Sequence, residues 1–97
     1  MNKVIYIAGP ITGVADYKVN FASAEEQLEA AGHIVLNPAR LPEGMPYEAY
    51  IPICLAMVAA AEAVLLLPGW EKSKGAMAEH ACALALGKEI LWSVVDA

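Results

Sequence analysis

Positive charge is scarce in this 97-residue chain: 6 Lys+Arg stand against 11 Asp+Glu, a formal net charge of −5. So acidic a chain has little with which to hold the phosphate backbone of duplex nucleic acid. One small phosphorylated ligand is not excluded, because it needs only a few local donors. Long apolar runs are also missing. The longest uncharged stretch, Ala49 to Ala61, contains Pro52 and is shorter than the ~18–20 residues that span a bilayer. No membrane association is expected. The apolar run near the start, Val4 to Ala8, is too short for the core of a secretory signal, so a cytoplasmic location is expected. Cysteine is nearly absent. Cys54 and Cys82 lie far apart without C-x-x-C spacing, which favours buried thiols over a disulfide or a metal site. No metal or cofactor is expected.

What is present is apolar: hydrophobic residues make up 59% of the chain and charged residues 18%, so disorder is excluded. Linkers, repeats and low-complexity segments do not occur, and the length suits one domain over residues 1–97 that buries roughly two-thirds of its surface. Lys3 to Ala8 reads as a buried strand ended by Gly9-Pro10. Phe21, Ala24, Leu28 and Ala31 recur at helical spacing, so a helix is expected over Asn20 to Ala31, with Gly32 as its C-cap glycine. His33 to Leu36 is a second strand. After a loop from Ala39 to Pro46, a second helix falls between Tyr47 and Ala61, its regular part starting near Pro52, where proline is tolerated in a first turn. Ala63 to Leu67 reads as a central strand, Ser73 as the N-cap of a helix running to Leu86, and Glu89 to Val95 as the last strand.

This alternation predicts an α/β fold of three layers: a four-stranded, mostly parallel sheet with helices on both faces. A strand order of about 2-1-3-4 is expected, as in flavodoxin-like or Rossmann-like sheets. Ligands of such sheets bind beyond the carboxyl ends of the strands. That rule gathers the loops Gly9–Asn20, Asn37–Pro46 and Pro68–Gly75 around one crevice.

Two segments there can carry chemistry. Ala8-Gly9-Pro10-Ile11-Thr12-Gly13 can turn backbone N–H groups towards an anion, although a plain tight turn fits it equally, and it matches neither G-x-G-x-x-G nor the P-loop. In Trp70-Glu71-Lys72-Ser73-Lys74-Gly75, Ser73 can offer a hydroxyl at a helix N-terminus and Gly75 permits close approach. Glu79 follows one turn later on the same side, a lone carboxylate in a helix of Ala, Leu and Met, as a pocket residue would be. Trp70 can stack on a base or plug the packing of the third helix. Met45, Met57 and Met77 read as core filler.

With these residues in view, the chain resembles the nucleoside 2-deoxyribosyltransferase superfamily, and within it short phage and prophage members similar to deoxynucleoside 5′-monophosphate N-glycosidases. The resemblance is carried by Tyr6-Ile7-Ala8-Gly9-Pro10-Ile11-Thr12-Gly13, by Asn37-Pro38, by Val64 to Gly75, and by the helix around Glu79. It implies cleavage or transfer of an N-glycosidic bond, with Glu79 as the nucleophile on the anomeric carbon and Tyr6 holding that carboxylate. A core aromatic role for Tyr6 is the alternative. It also implies substrate binding by Gly9, Ile11, Thr12, Gly13, Ser73, Gly75 and Trp70. Serine at position 73, flanked by Lys72 and Lys74, points to a 5′-monophosphate, because an acid there would repel the phosphate. The chain departs from the family at Cys54, which stands where an aspartate usually protonates the leaving base. A thiol is a poor substitute for a carboxylic acid. Two other classes therefore stay open: a catalytically impaired nucleotide-binding module, and a structural or interaction protein. A nucleotide or nucleoside is the expected partner, and a homo-oligomer, dimer or higher, is expected because one thin four-stranded sheet leaves a small core.

Overall fold

The computed structural model describes residues 2–97. The described residues form four strands, β1 (Val4–Ala8), β2 (Ile34–Leu36), β3 (Ala63–Leu66) and β4 (Glu89–Leu91). Three helices alternate with them: α1 (Tyr17–Ala30), α2 (Tyr47–Ala60) and α3 (Lys74–Ala85). Single 3-10 turns occupy Pro38–Arg40, Trp70–Lys72 and Val94–Asp96. The sheet order is β2-β1-β3-β4, and every pairing is parallel. The expected α/β architecture is therefore present, with a sheet that is wholly rather than mostly parallel.

Alternation along the strands decides what each face meets. Ile5 and Ile7 of β1 and Ala63 and Leu65 of β3 pack with Phe21, Ala24 and Leu28 of α1. Tyr6 and Ala8, with Val64 and Leu66, point the other way and pack with Cys54 and Val58 of α2 and Ala76 and Ala83 of α3. The three layers are thus α1, sheet, and the α2–α3 pair. This parity puts Tyr6 beneath α2 and α3.

Helix ends follow local rules where those rules are strong. Gly32 and Gly87 take positive φ and close α1 and α3 with paired bonds of the Schellman kind: His33 N donates to Leu28 O (3.1 Å), Lys88 N to Ala83 O (2.9 Å). Ser73 caps α3, its Oγ accepting from Ala76 N at 3.2 Å.

Three boundaries differ from expectation. The first helix begins at Tyr17, not Asn20, because the Tyr17 ring packs edge-on against Phe21 at 6.5 Å and draws the first turn in. The second helix begins at Tyr47, so Pro52 lies inside it rather than at its start. The Tyr50 hydroxyl explains this: it donates to Pro42 O (2.6 Å) and accepts from Met45 N (3.2 Å), pinning the first turn to the preceding loop. Pro52 is exposed, so water can satisfy the carbonyl its ring leaves unbonded. The last strand stops at Leu91 because Ser93 and Asp96 form a capping box that starts a 3-10 turn. Met77 is exposed rather than core, and no described helix is long and apolar enough to cross a membrane.

Candidate functional site

At the carboxyl end of the sheet, where the chain leaves β1 on one side and β3 on the other, lies a cleft of about 770 Å³. That is the size and place at which open α/β sheets hold small ligands. Tyr6, Gly9, Ile11, Thr12, Cys54, Ser73, Gly75 and Glu79 all line it. Two candidates do not. Gly13 sits beyond the cleft in a turn of positive φ. Trp70 turns away, because Gly69 in the left-handed region reverses the chain and lays the indole 4.6 Å from His80 and 6.1 Å from Trp92. Trp70 is therefore a packing residue over α3, not part of the cleft lining, and His80 is occupied with it.

The floor of the cleft brings three groups together. β1 supplies Tyr6, α2 supplies Cys54 and α3 supplies Glu79. Tyr6 is fully buried, and its hydroxyl meets no acceptor in good hydrogen-bond geometry although Glu79 and Cys54 are near, an arrangement rare enough to require a cause. Glu79 and Cys54 both lie close enough to act on the charge state of that hydroxyl. The Glu79 carboxyl is pushed up to about 7 by burial, against a smaller lowering from the Tyr6 hydroxyl. Burial also pushes the Cys54 thiol up, so it is protonated at neutral pH. Tyr6 itself is held far above the ordinary phenol range, first by burial and then by the charge of Glu79. A carboxyl that titrates near neutrality beside an unused hydroxyl donor is an arrangement suited to chemistry.

The α3 end of the cleft differs in character. Lys72 and Lys74 flank Ser73 on the lining, and among the described residues the amides of Lys74 and Gly75 have no hydrogen-bond partner. A Cβ on Gly75 would meet the Tyr47 hydroxyl at 3.4 Å, so α2 and α3 close tightly over this corner. Gly9 serves packing as well as lining, since a Cβ there would stand 2.9 Å from Leu67 Cβ.

One feature of the cleft wall escaped the sequence. Buried Glu25 of α1 accepts from Asn37 Nδ2 (2.8 Å) and Arg40 Nε (2.9 Å), and Arg40 Nη2 adds a second guanidinium bond. These bonds hold Glu25 below the usual carboxylate range, and they clamp the Pro38–Arg40 turn, whose Pro38 and Ala39 line the cleft. The signal was available: Glu25 falls four residues after Phe21 and three before Leu28, on the buried stripe. Glu62, by contrast, binds Val4 N (2.9 Å) at the opposite end of the sheet and takes no part. Among the described residues no His, Cys, Asp and Glu side chains gather in a group able to hold a metal ion.

The doubly covered parallel sheet matches the fold of two solved 2-deoxyribosyltransferases. The chain superposes on a "2-desoxiribosyltransferase" from Leishmania mexicana with a TM-score of 0.73 at 23% identity, covering 92% of this chain and 62% of that one. A 2-deoxyribosyltransferase from the psychrotolerant bacterium Bacillus psychrosaccharolyticus gives 0.71 at 21% identity, covering 90% and 69%. The chain thus spans somewhat under two-thirds of the length of the first of these enzymes. Among curated proteins none matches it significantly. The profile of the family described as "Domain of unknown function (DUF4406)" matches residues 3–92, and the chain belongs to that family.

Proposed function

We propose that the protein breaks or transfers the N-glycosidic bond of 2′-deoxynucleosides, with 5′-monophosphates as its preferred form. Glu79 is the nucleophile on the anomeric carbon, and the Tyr6 hydroxyl steadies and orients its carboxylate. The observation that carries this proposal is the buried, unpartnered Tyr6 hydroxyl beside a carboxyl pushed up to about 7 at the floor of the cleft. The same donor costs stability in the empty protein and becomes useful once Glu79 must be held ionised. Ser73, the free amides of Lys74 and Gly75, and the two lysines supply the donors that a 5′-phosphate needs. Ile11 and Thr12 form the facing wall. Hydrolysis and transfer differ only in whether water or a second base takes the sugar.

The test is mass spectrometry of the intact protein quenched during turnover of a deoxynucleoside monophosphate. A sugar-phosphate adduct on the peptide holding Glu79 is expected; an adduct elsewhere would overturn the assignment. A lower KM for monophosphates than for free nucleosides, reversed by Ser73→Asp, supports the phosphate preference. One observation favours a second reading, a module that binds nucleotides without turnover: among the described residues the only other carboxylate on the lining, Glu43, is tied to Lys18 at 2.7 Å. A ligand-induced rise in melting temperature without base release would favour that module.

A further inference from the structure

Breaking an N-glycosidic bond leaves an electron pair on the base, and some group must meet it with a proton. The inference here rests on the glycosidic function proposed above. The function proposed above puts the 5′ end of the sugar at Ser73, six residues or roughly 9 Å along α3 from Glu79, and α2, packed against α3, forms the neighbouring wall of the cleft. That wall presents Tyr47, Tyr50, Ile51 and Cys54 to the cleft. The Tyr50 hydroxyl is already committed to Pro42 and Met45. Tyr47 sits over Gly75, at the phosphate corner. Glu43 lies on the rim, paired with Lys18. The Tyr6 hydroxyl serves Glu79. Of the groups on that wall, the proton left uncommitted is on Cys54, which is buried, packs with Tyr6 and lines the cleft together with Glu79.

We propose that Cys54 donates the proton to the departing base, and that a thiol donor restricts the substrate to uracil- and thymine-type bases. Such bases leave as ring-imide anions of about the basicity of a thiolate, so the proton passes between matched partners. Adenine and cytosine depart only after a weakly basic ring nitrogen is protonated. A thiol whose ordinary pKa is about 8.5 is too weak an acid for that.

The step balances without another reactant. A Glu79 oxygen bonds to the anomeric carbon as the carbon–nitrogen bond breaks, its electron pair moving onto the base. The Cys54 proton goes to the base, leaving a thiolate. Water then attacks the anomeric carbon, releases the Glu79 carboxylate, and returns its proton to Cys54. Timing favours the exchange. The charge of Glu79 opposes ionisation of Cys54 in the resting site, and that charge vanishes while Glu79 is an ester.

The experiment measures product release by wild type, Cys54→Ala, Cys54→Asp and Glu79→Gln. The substrates are the thymine, uracil, cytosine and adenine deoxynucleoside monophosphates and 4-nitrophenyl 2-deoxyribose 5-phosphate, whose leaving group needs no proton. Wild type should release thymine and uracil roughly 10²-fold faster than adenine or cytosine. Cys54→Ala should lose about 10²-fold on the thymine substrate while keeping nitrophenol release, which also shows that it is folded. Cys54→Asp should shift preference towards adenine and cytosine. Adenine released as fast as thymine, thymine release unaffected in Cys54→Ala, or equal loss on both leaving groups would each overturn the inference. Release that requires Glu79 yet ignores Cys54 removes this inference alone. Release by Glu79→Gln, or none by wild type on any substrate, removes the glycosidic function beneath it as well.

Discussion

Replacing Glu79 by Gln should stabilise the protein at pH 8 and leave its stability unchanged at pH 4. The folded state holds the Glu79 proton up to about 7, whereas an unperturbed glutamate releases it at 4.5. Below pH 4.5 the residue is protonated in both states and contributes no pH dependence. Between the two values the folded chain binds more protons than the unfolded one, so stability falls as pH rises. Above the folded value the loss is complete. At about 1.36 kcal/mol per pKa unit, the full shift corresponds to at most about 3 kcal/mol. Glu79 is half-buried in an open cleft, so solvent screening reduces this, and about half, ~1.5 kcal/mol, is expected. Gln carries no charge and escapes that cost. For a domain of this size the change corresponds to a rise of roughly 6–12 °C in melting temperature at pH 8. Thermal unfolding of both proteins across pH 4–9 reads the difference directly. A constant difference between the two proteins at all pH values, or a less stable Gln variant at pH 8, would refute the reasoning.

Other outcomes follow from the same geometry. Tyr6→Phe removes an unpartnered buried hydroxyl, so chemical denaturation should show stability unchanged or raised by about 1 kcal/mol while turnover falls roughly 10²-fold; a clear loss of stability would mean the hydroxyl is satisfied in solution. Glu25→Ala should cost about 1–2 kcal/mol at neutral pH by leaving the buried Asn37 amide without its acceptor, the exposed Arg40 returning to water. Because the folded pKa of Glu25 is lowered, wild type should lose that contribution as pH falls below the usual carboxylate range, and the two denaturation curves should converge in acid. Gly9→Ala drives a methyl to 2.9 Å from Leu67 Cβ, an atom fixed to the chain just past β3, and should cost about 2 kcal/mol in the same assay.

Much of the fold was legible because burial on both faces of a parallel sheet leaves period, length and punctuation as strong signals. The Val-Ile-Tyr-Ile run of β1 and the Ala-Val-Leu-Leu run of β3 could be little else. The cleft was legible for a related reason: loops after parallel strands share one end of the sheet, and helical spacing from Gly75 turns Glu79 towards it, whereas Tyr6 and Cys54 were singled out only through the family resemblance. What escaped depended on contacts distant in sequence. Pro52 marks a helix start by local rules, but Tyr50 anchors that helix a full turn earlier. Trp70 follows β3 as a stacking residue would, yet the left-handed turn at Gly69 and the offer of His80 and Trp92 send it elsewhere. Glu25 resembles a surface acid beside Glu26 until Arg40 and Asn37 arrive from fifteen and twelve residues away.

Chromatography of free base tests the central claim most directly. Wild type and Glu79→Ala would be incubated with the four deoxynucleoside 5′-monophosphates and their free nucleosides, with an acceptor base in half the samples. The account predicts base release by wild type, fastest from monophosphates, and at least roughly 10³-fold slower release by the folded Glu79→Ala protein. Release that survives the loss of Glu79, or folded wild type that frees no base from any substrate, would contradict it.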